Sequence, residues 1–308
     1  MKKTLFLSAF AALSLLACSS ETVEPDTDTQ TTTETELQET ASAVDAPSLD
    51  DILAAQPEEA KARFEYRNPG ATLEYFGVKP GMTVAELLPG GGWYSKIVLP
   101  YLGDEGHLIG VDYDIDMWAK FGGFVDDKFL EDRKSWSTSW AETARGWKSE
   151  GSATEISAFA LGNVPEEIQG TVDMVLIIRA IHHMNRFEQA HLADGLADIK
   201  SILKPDGIVA IVAHRASEDQ DDGWANGDNG YLKQSHVISI MSDAGFELVG
   251  EPSEINANPK DKASSADGDI VWRLPPNLGT SAEDPELRAK MQAIGESDRM
   301  TLKFRIKS

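Results

Sequence analysis

From Leu49 onward the chain alternates short apolar runs with longer segments in which apolar residues return every three or four positions. The runs Thr83–Leu88, His107–Val111, Asp173–Ile178 and Gly207–Ala213 lack strict apolar–polar alternation, as expected of strands covered on both faces. Between the last two, Leu192, Leu196, Ile199 and Leu203 recur at helical spacing and predict one buried stripe. Lys204-Pro205-Asp206-Gly207 is expected to stop that helix and turn the chain into the next strand. A helical lead-in is predicted from Leu49 to Tyr66, with Ser48 as its N-cap. Met300–Lys307 differs, because Met300, Leu302, Phe304 and Ile306 share one face, the pattern of an antiparallel edge or insertion strand. Strands alternating with helices predict an α/β fold with a mostly parallel sheet, in one domain and without internal repeats.

The N-terminus breaks this pattern. Lys2 and Lys3, the apolar stretch Leu5 to Leu16 and Ala17 before Cys18 give residues 1–17 the layout of a secretory signal peptide, too short to span a bilayer. Leu15-Leu16-Ala17-Cys18 resembles the bacterial lipobox, which implies cleavage before Cys18 and acylation of that residue. Ser19 rather than Asp in the next position favours the outer membrane in a Gram-negative cell. The plainer reading is a free cysteine in an ordinary signal peptide or an uncleaved anchor. The expectation is an exported protein held on the membrane by acyl chains on Cys18. From Glu21 to Asp51 there are ten acidic residues, eight threonines and no Lys or Arg, so residues 18–51 read as a flexible tether and 52–308 as the folded domain.

Charge narrows the partners. The 308 residues carry 28 Lys plus Arg against 51 Asp plus Glu, a net charge of −23. Once Lys2, Lys3 and the ten tether acids are set aside, about −15 remains on residues 52–308, which argues against nucleic acid as a partner. A single cysteine excludes an intramolecular disulfide or a thiolate metal cluster, and no H-E-x-x-H spacing occurs, so no metal is expected. The acidic run Glu218 to Asp222 reads as a solvated loop rather than a calcium site.

Val84-Ala85-Glu86-Leu87-Leu88-Pro89-Gly90-Gly91-Gly92-Trp93-Tyr94 carries the most chemistry: a strand ends in a glycine-rich turn and opens a helix, where ligands of open α/β sheets bind. A dinucleotide fingerprint would need a third glycine where Ser95 stands, and a P-loop would need a Gly-Lys-Ser/Thr that is absent. Asp112 ends the next strand, where a carboxylate can accept both hydrogen bonds of a ribose diol. The same residues also fit a plain strand–helix turn with Asp112 as a helix cap.

With these pieces in this order, residues 60–308 resemble the class I S-adenosylmethionine (SAM) methyltransferases, in particular a bacterial group of predicted methyltransferases. The resemblance implies a Rossmann-like class I methyltransferase fold, a seven-stranded, mostly parallel sheet with an antiparallel last strand, and SAM as cofactor. It implies Glu86, Gly90, Gly91 and Gly92 around the methionine and ribose part of SAM, and Asp112 as the ribose ligand. Asp173 to His183 looks like the family's fourth motif, Leu203 to Ile208 like its entry to strand five, and Ala244–Leu248 and Arg299–Phe304 like strands six and seven. Two departures stand out: Leu88 occupies a position where the family has glycine, and the third motif offers Asn163 where an acid near the adenine is usual.

His182 and His183 at the end of strand four and His214 at the end of strand five are expected to converge with Arg179 and Arg215. An imidazole there is a candidate general base, His182 and His183 first. The plainer alternative packs one histidine inward and lets the other cap the next helix through Asn185. Trp118, Phe121, Phe124, Phe129, Trp136, Trp140 and Trp147 form either a lid over an apolar substrate or the packed core of a helical hairpin. The leading expectation is a SAM-dependent methyltransferase for a small or lipid-like substrate. An exported binding module that keeps the fold without the reaction is the alternative, because SAM is made in the cytoplasm. A nicotinamide-dependent oxidoreductase is the third reading, disfavoured by Ser95.

Overall fold

A computed structural model describes residues 47–187, 189–271 and 284–308. The expected signal peptide, Cys18 and most of the expected tether lie outside the described residues. The strands are β1 (Thr83–Leu87), β2 (His107–Asp112), β3 (Glu155–Ala160), β4 (Val172–Ile178), β5 (Leu203–Ala216), β6 (Leu232–Lys233), β7 (Phe246–Leu248) and β8 (Arg299–Ile306). They form one sheet in the order β3-β2-β1-β4-β5-β8-β7, with β6 paired to β5. β1 to β5 run parallel, and β8 inserts antiparallel between β5 and β7. This is the Rossmann-like arrangement expected, with one short extra strand, and it makes Met300–Lys307 an insertion strand rather than an edge.

Both faces of the sheet are buried, which explains the near-continuous apolar runs. Ala85, Ile109, Val175 and Ile177 face one core and Val84, Leu108, Met174 and Leu176 the other. The first core is closed by the helices Gln189–Ile202 and Gln234–Asp243 through Leu192, Leu196, Ile199 and Val237. The second is closed by the helices Leu49–Ala54, Pro69–Phe76, Ser95–Leu102 and Trp136–Arg145.

Two local expectations are corrected. The lead-in is not one helix but three short ones, Leu49–Ala54, Glu58–Lys61 and Phe64–Arg67. Pro57 sits at the first break, where its ring and missing N–H prevent an unbroken helix. Ser48 does cap the first, in a capping box with Asp51. The second correction concerns Leu203, which is the first residue of β5 rather than the last of the helical stripe. The helix ends at Ile202, and Lys204 to Gly207 form an irregularity inside the strand, where pairing jumps from Val172↔Leu203 to Met174↔Ile208. Lys204 is held there by Asp173 at 2.6 Å, whose other oxygen accepts the Thr83 amide at 2.8 Å.

Among the described residues no helix is long and apolar enough to cross a membrane.

Candidate active site

The glycine turn follows β1 directly. Leu88 has φ +53°, in the left-handed region that favours glycine, so leucine holds here the conformation for which the family pattern supplies glycine. Its amide donates to Val111 O at 2.7 Å. Gly90 and Gly92 also have positive φ, at +55° and +76°. A Cβ on Gly90 or Gly91 would meet nothing within 4 Å, so this backbone faces open space. A Cβ on Gly92 would lie 2.3 Å from Trp147 Cη2, so that position is closed by the chain's own indole.

Glu86 is buried in β1, where the Ser95 hydroxyl donates to Oε2 at 2.5 Å. Burial pushes its carboxyl up to about 7 against the lowering effect of Ser95. Glu86 thus ties the strand to the first turn of the helix Ser95–Leu102, and the residue that breaks the dinucleotide pattern is its partner.

Asp112 ends β2 with 2% of its surface exposed. Arg133 Nη1 donates to Oδ2 at 2.9 Å, from the end of the helix Asp127–Arg133. The Arg133 guanidinium lies 4.2 Å from the ring centre of Trp118 and 5.0 Å from that of Phe129. Oδ1 makes no hydrogen bond of ordinary geometry, although the Tyr113 amide and Trp118 indole border the carboxylate. Burial raises the Asp112 carboxyl to about 6, with Arg133 opposing. Asp112 is not a helix cap: Asp114 fills that role for the helix Ile115–Trp118, accepting the Asp116 amide at 3.0 Å.

Two residues on from Asp112 a cleft of about 310 Å³ opens between the ends of β2 and β3 and the helix Gln189–Ile202. Asp114, Met117, Leu161, Gly162, Asp194 and Asp198 line it. Asp198 accepts the Gly162 amide at 2.6 Å. Asn163, the neighbouring residue, is exposed beside this turn.

The histidines converge. His182 and His183 lie on the helix Ile181–Arg186 after β4, with ring centres 4.0 Å apart, and His214 of β5 is 5.8 Å from His182. Burial, first of all, holds His182 and His214 well below the usual imidazole range and His183 at about 3, so all three are neutral. The buried Tyr113 hydroxyl donates to Ala180 O at 2.8 Å and sits 3.1 Å from His183 Nδ1. Its one hydrogen being used, Tyr113 can only accept from His183, which assigns the proton to Nδ1 and leaves Nε2 with a lone pair. The hydrogen bonds of Asn185 run to residues beyond the histidine pair. Its amide donates to Asn226 O at 2.8 Å, and its oxygen pairs with His236 at 2.8 Å.

Arg179 joins the histidines at the end of β4, but Arg215 turns elsewhere, to Asp298 at 2.8 Å and Glu254 at 2.7 Å. Of the aromatic residues between β2 and β3, Trp140 packs into the core against Gly110 and stacks on Trp136 at 5.7 Å, as a helical core does. Among the described residues Phe124 alone of the large apolar side chains is exposed. Sequence reasoning missed Arg133 and the Asp114 cleft. The available signal for Arg133 was a cation four residues after Phe129 and three before Trp136, which puts it on an aromatic helical face. Among the described residues no cluster of His, Cys, Asp or Glu is built to hold a metal ion.

The residues present fit SAM in three respects: open backbone at Gly90 and Gly91, an unsatisfied acceptor on Asp112, and a cleft at the ends of β2 and β3. No protein-family model and no curated protein matches the chain. Solved structures do. A SAM-dependent methyltransferase from Aquifex aeolicus is similar over 65% of this chain and 93% of its own, at 21% identity and a TM-score of 0.44. The complex of the Haloferax volcanii Trm112 methyltransferase activator with a putative methyltransferase gives 14% identity and 0.46, over 85% and 98%. An arsenic(III) SAM methyltransferase from Chlamydomonas reinhardtii gives 17% and 0.44, over 85% and 74%. The likeness is one of architecture and says nothing of substrate.

Proposed function

We propose that the protein is a SAM-dependent methyltransferase for a small or lipid-like molecule, working at the C-terminal ends of β1, β2 and β4. The observation that carries this reading is Asp112, a buried carboxylate with one oxygen that makes no hydrogen bond of ordinary geometry, beside glycines whose backbone faces open space. Such an acceptor suits a ribose hydroxyl. Gly90 and Gly91 would admit the methionine end of the cofactor, with Glu86 bracing the turn from behind. Asn163, together with Asp114 in the cleft, would meet the adenine end. When bound, SAM supplies a methyl group on a sulfonium. The chain's part is orientation and exclusion of water, which in-line displacement needs most. His183, held by Tyr113 with Nε2 as acceptor, would align the attacking group's hydrogen, and His182 and His214 would wall the site. With a value of about 3, His183 stores a proton poorly at neutral pH, so its part is positioning rather than base catalysis.

Two observations favour a second reading. Arg133 already occupies one oxygen of Asp112 and Trp147 covers Gly92, as in a binding module that keeps the fold without the reaction. The export expected from the sequence around Cys18, away from cytoplasmic SAM, would support the same alternative. The nicotinamide reading is weakened further, because Ser95 is buried and bonded to Glu86.

Isothermal titration of SAM and S-adenosylhomocysteine into the purified protein tests the proposal, with Asp112→Ala alongside. Micromolar binding that the substitution removes supports a donor site. Absence of binding at millimolar cofactor sinks it in favour of the binding module. Cell fractionation with acyl labelling at Cys18 tests the anchor.

A further inference from the structure

The chain is strongly acidic, yet the ends of β4 and β8 enclose the opposite charge. Arg63, Arg67, Arg179 and Arg299 influence one another there, and Glu296 is the carboxylate set among them. Glu296 accepts from Arg63 Nε at 2.5 Å, from Arg67 Nε at 3.0 Å and from Arg299. The neighbouring acids are committed elsewhere. Asp298 binds Arg215 at 2.8 Å, and Asp261 accepts the Tyr231 hydroxyl and the Asp298 amide, its own carboxyl raised by burial to about 7. Among the described residues Arg179 has no ion pair. Arg67 is 5% exposed, and its Nη2 has no hydrogen-bond partner. Four guanidinium groups share the one carboxylate of Glu296, an excess of positive charge in a recessed place and a costly arrangement unless an anion joins them.

We propose that Arg67 and Arg179, set beside Trp93 of the glycine turn and the His182–His183 pair, bind a carboxylate or phosphate group of the methyl acceptor. This rests on the methyltransferase reading and deepens it by naming an anionic substrate class. The placement supports it. Arg67 lies over the Trp93 ring at 4.6 Å, one residue past Gly92. Arg179 is the first residue after β4, two ahead of Ile181, which opens the histidine helix, and the residue is partly accessible. Its backbone has φ +55° and is pinned by its amide to Val212 O at 2.6 Å, so the side chain leaves from a fixed, left-handed position. Burial and repulsion from Arg67 and Arg299 lower the Arg179 guanidinium to about 9, as befits a cation without a counter-charge. Guanidinium forks match the paired oxygens of carboxylate and phosphate. One carboxylate, such as the methionine end of a donor, would cancel only part of that excess.

The test is a thermal shift and titration of the purified protein with inorganic phosphate and with succinate, against sodium chloride at equal ionic strength. S-adenosylhomocysteine is titrated in parallel into wild type, Arg179→Gln, Arg179→Lys and the surface control Lys128→Gln. The expected result is a phosphate or succinate response that chloride does not reproduce, weakened about tenfold or more in Arg179→Gln, partly kept in Arg179→Lys and unchanged in Lys128→Gln. Affinity for S-adenosylhomocysteine should stay within about twofold of wild type in Arg179→Gln. A wild-type response equal to that of chloride overturns the proposal without any variant. So does phosphate competing with S-adenosylhomocysteine while Arg179→Gln abolishes binding of the latter, because the pocket then belongs to the donor. If wild type binds phosphate through Arg179 but no S-adenosylhomocysteine, the methyltransferase reading falls and the anion site stands.

Discussion

Arg133 and Asp112 form an ion pair at 2.9 Å, in which the guanidinium is backed by the Trp118 ring and the second carboxylate oxygen makes no hydrogen bond of ordinary geometry. Arg133 lowers the carboxyl that burial has raised to about 6. Arg133→Ala is therefore expected to raise it further and to weaken S-adenosylhomocysteine at pH 7 by about tenfold, with recovery as pH rises. In wild type the affinity should fall as pH drops through about 6, where Asp112 takes up its proton. Calorimetric titration between pH 5 and about 8.5 reads both effects. A variant that binds more tightly at every pH would mean instead that Arg133 competes for the site.

Glu86 sets a slope of stability with pH. Its folded value of about 7 lies above the ordinary 4.5, so the folded state holds the proton more firmly than the unfolded one. The stability this contributes is full below about 4.5 and is lost as pH rises through about 7. Glu86→Gln should flatten that slope. Relative to wild type it should gain up to about 3 kcal/mol by pH 8, less whatever the Ser95 bond contributes. Urea denaturation of both proteins at pH 5 and 8 measures the difference.

Gly92 and Trp147 are predicted to be coupled. A methyl group on Gly92 would meet the indole at 2.3 Å in a backbone with φ +76°. Gly92→Ala should therefore cost about 3 kcal/mol. In a Trp147→Ala background the same substitution should cost about 1 kcal/mol less, since only the backbone strain remains. A double-mutant cycle in denaturant gives the coupling directly, and strict additivity would refute it.

Tyr113→Phe removes a buried hydroxyl that serves Ala180 O and His183 Nδ1 together. The expected loss is about 1 to 2 kcal/mol. The His183 ring should also lose its preference for a proton on Nδ1, which nitrogen-15 chemical shifts report.

Much of the architecture was legible because it depends on local pattern. The runs around Ala85, Ile109, Val175 and Val209 announce strands buried on both faces, and the spacing of Leu192, Leu196 and Ile199 announces the helix between β4 and β5. The glycine turn and Asp112 were legible because their order along the chain mirrors their order in the sheet. Contacts made by folding were not. Arg67 meets Glu296 across 229 positions and Arg133 meets Asp112 across 21, and no periodicity links either pair. Nor does the string Lys204-Pro205-Asp206-Gly207 tell a turn before a strand from an irregularity within one, because the Lys204–Asp173 bond that settles it lies 31 residues away.

Leu88 and Arg179 stand at equivalent places. Each is the first residue beyond a central strand, with φ +53° and +55°, and each sends its amide outward, to Val111 of β2 and Val212 of β5. The pairing of β1 with β4 stops at Leu87↔Ile177, so the two main chains part company at mid-sheet like a zip opened from the top. The mouth between them is thus carved by main chain rather than by side-chain shape. Side chains around it can be exchanged, and the chemistry they host altered, while the opening itself persists.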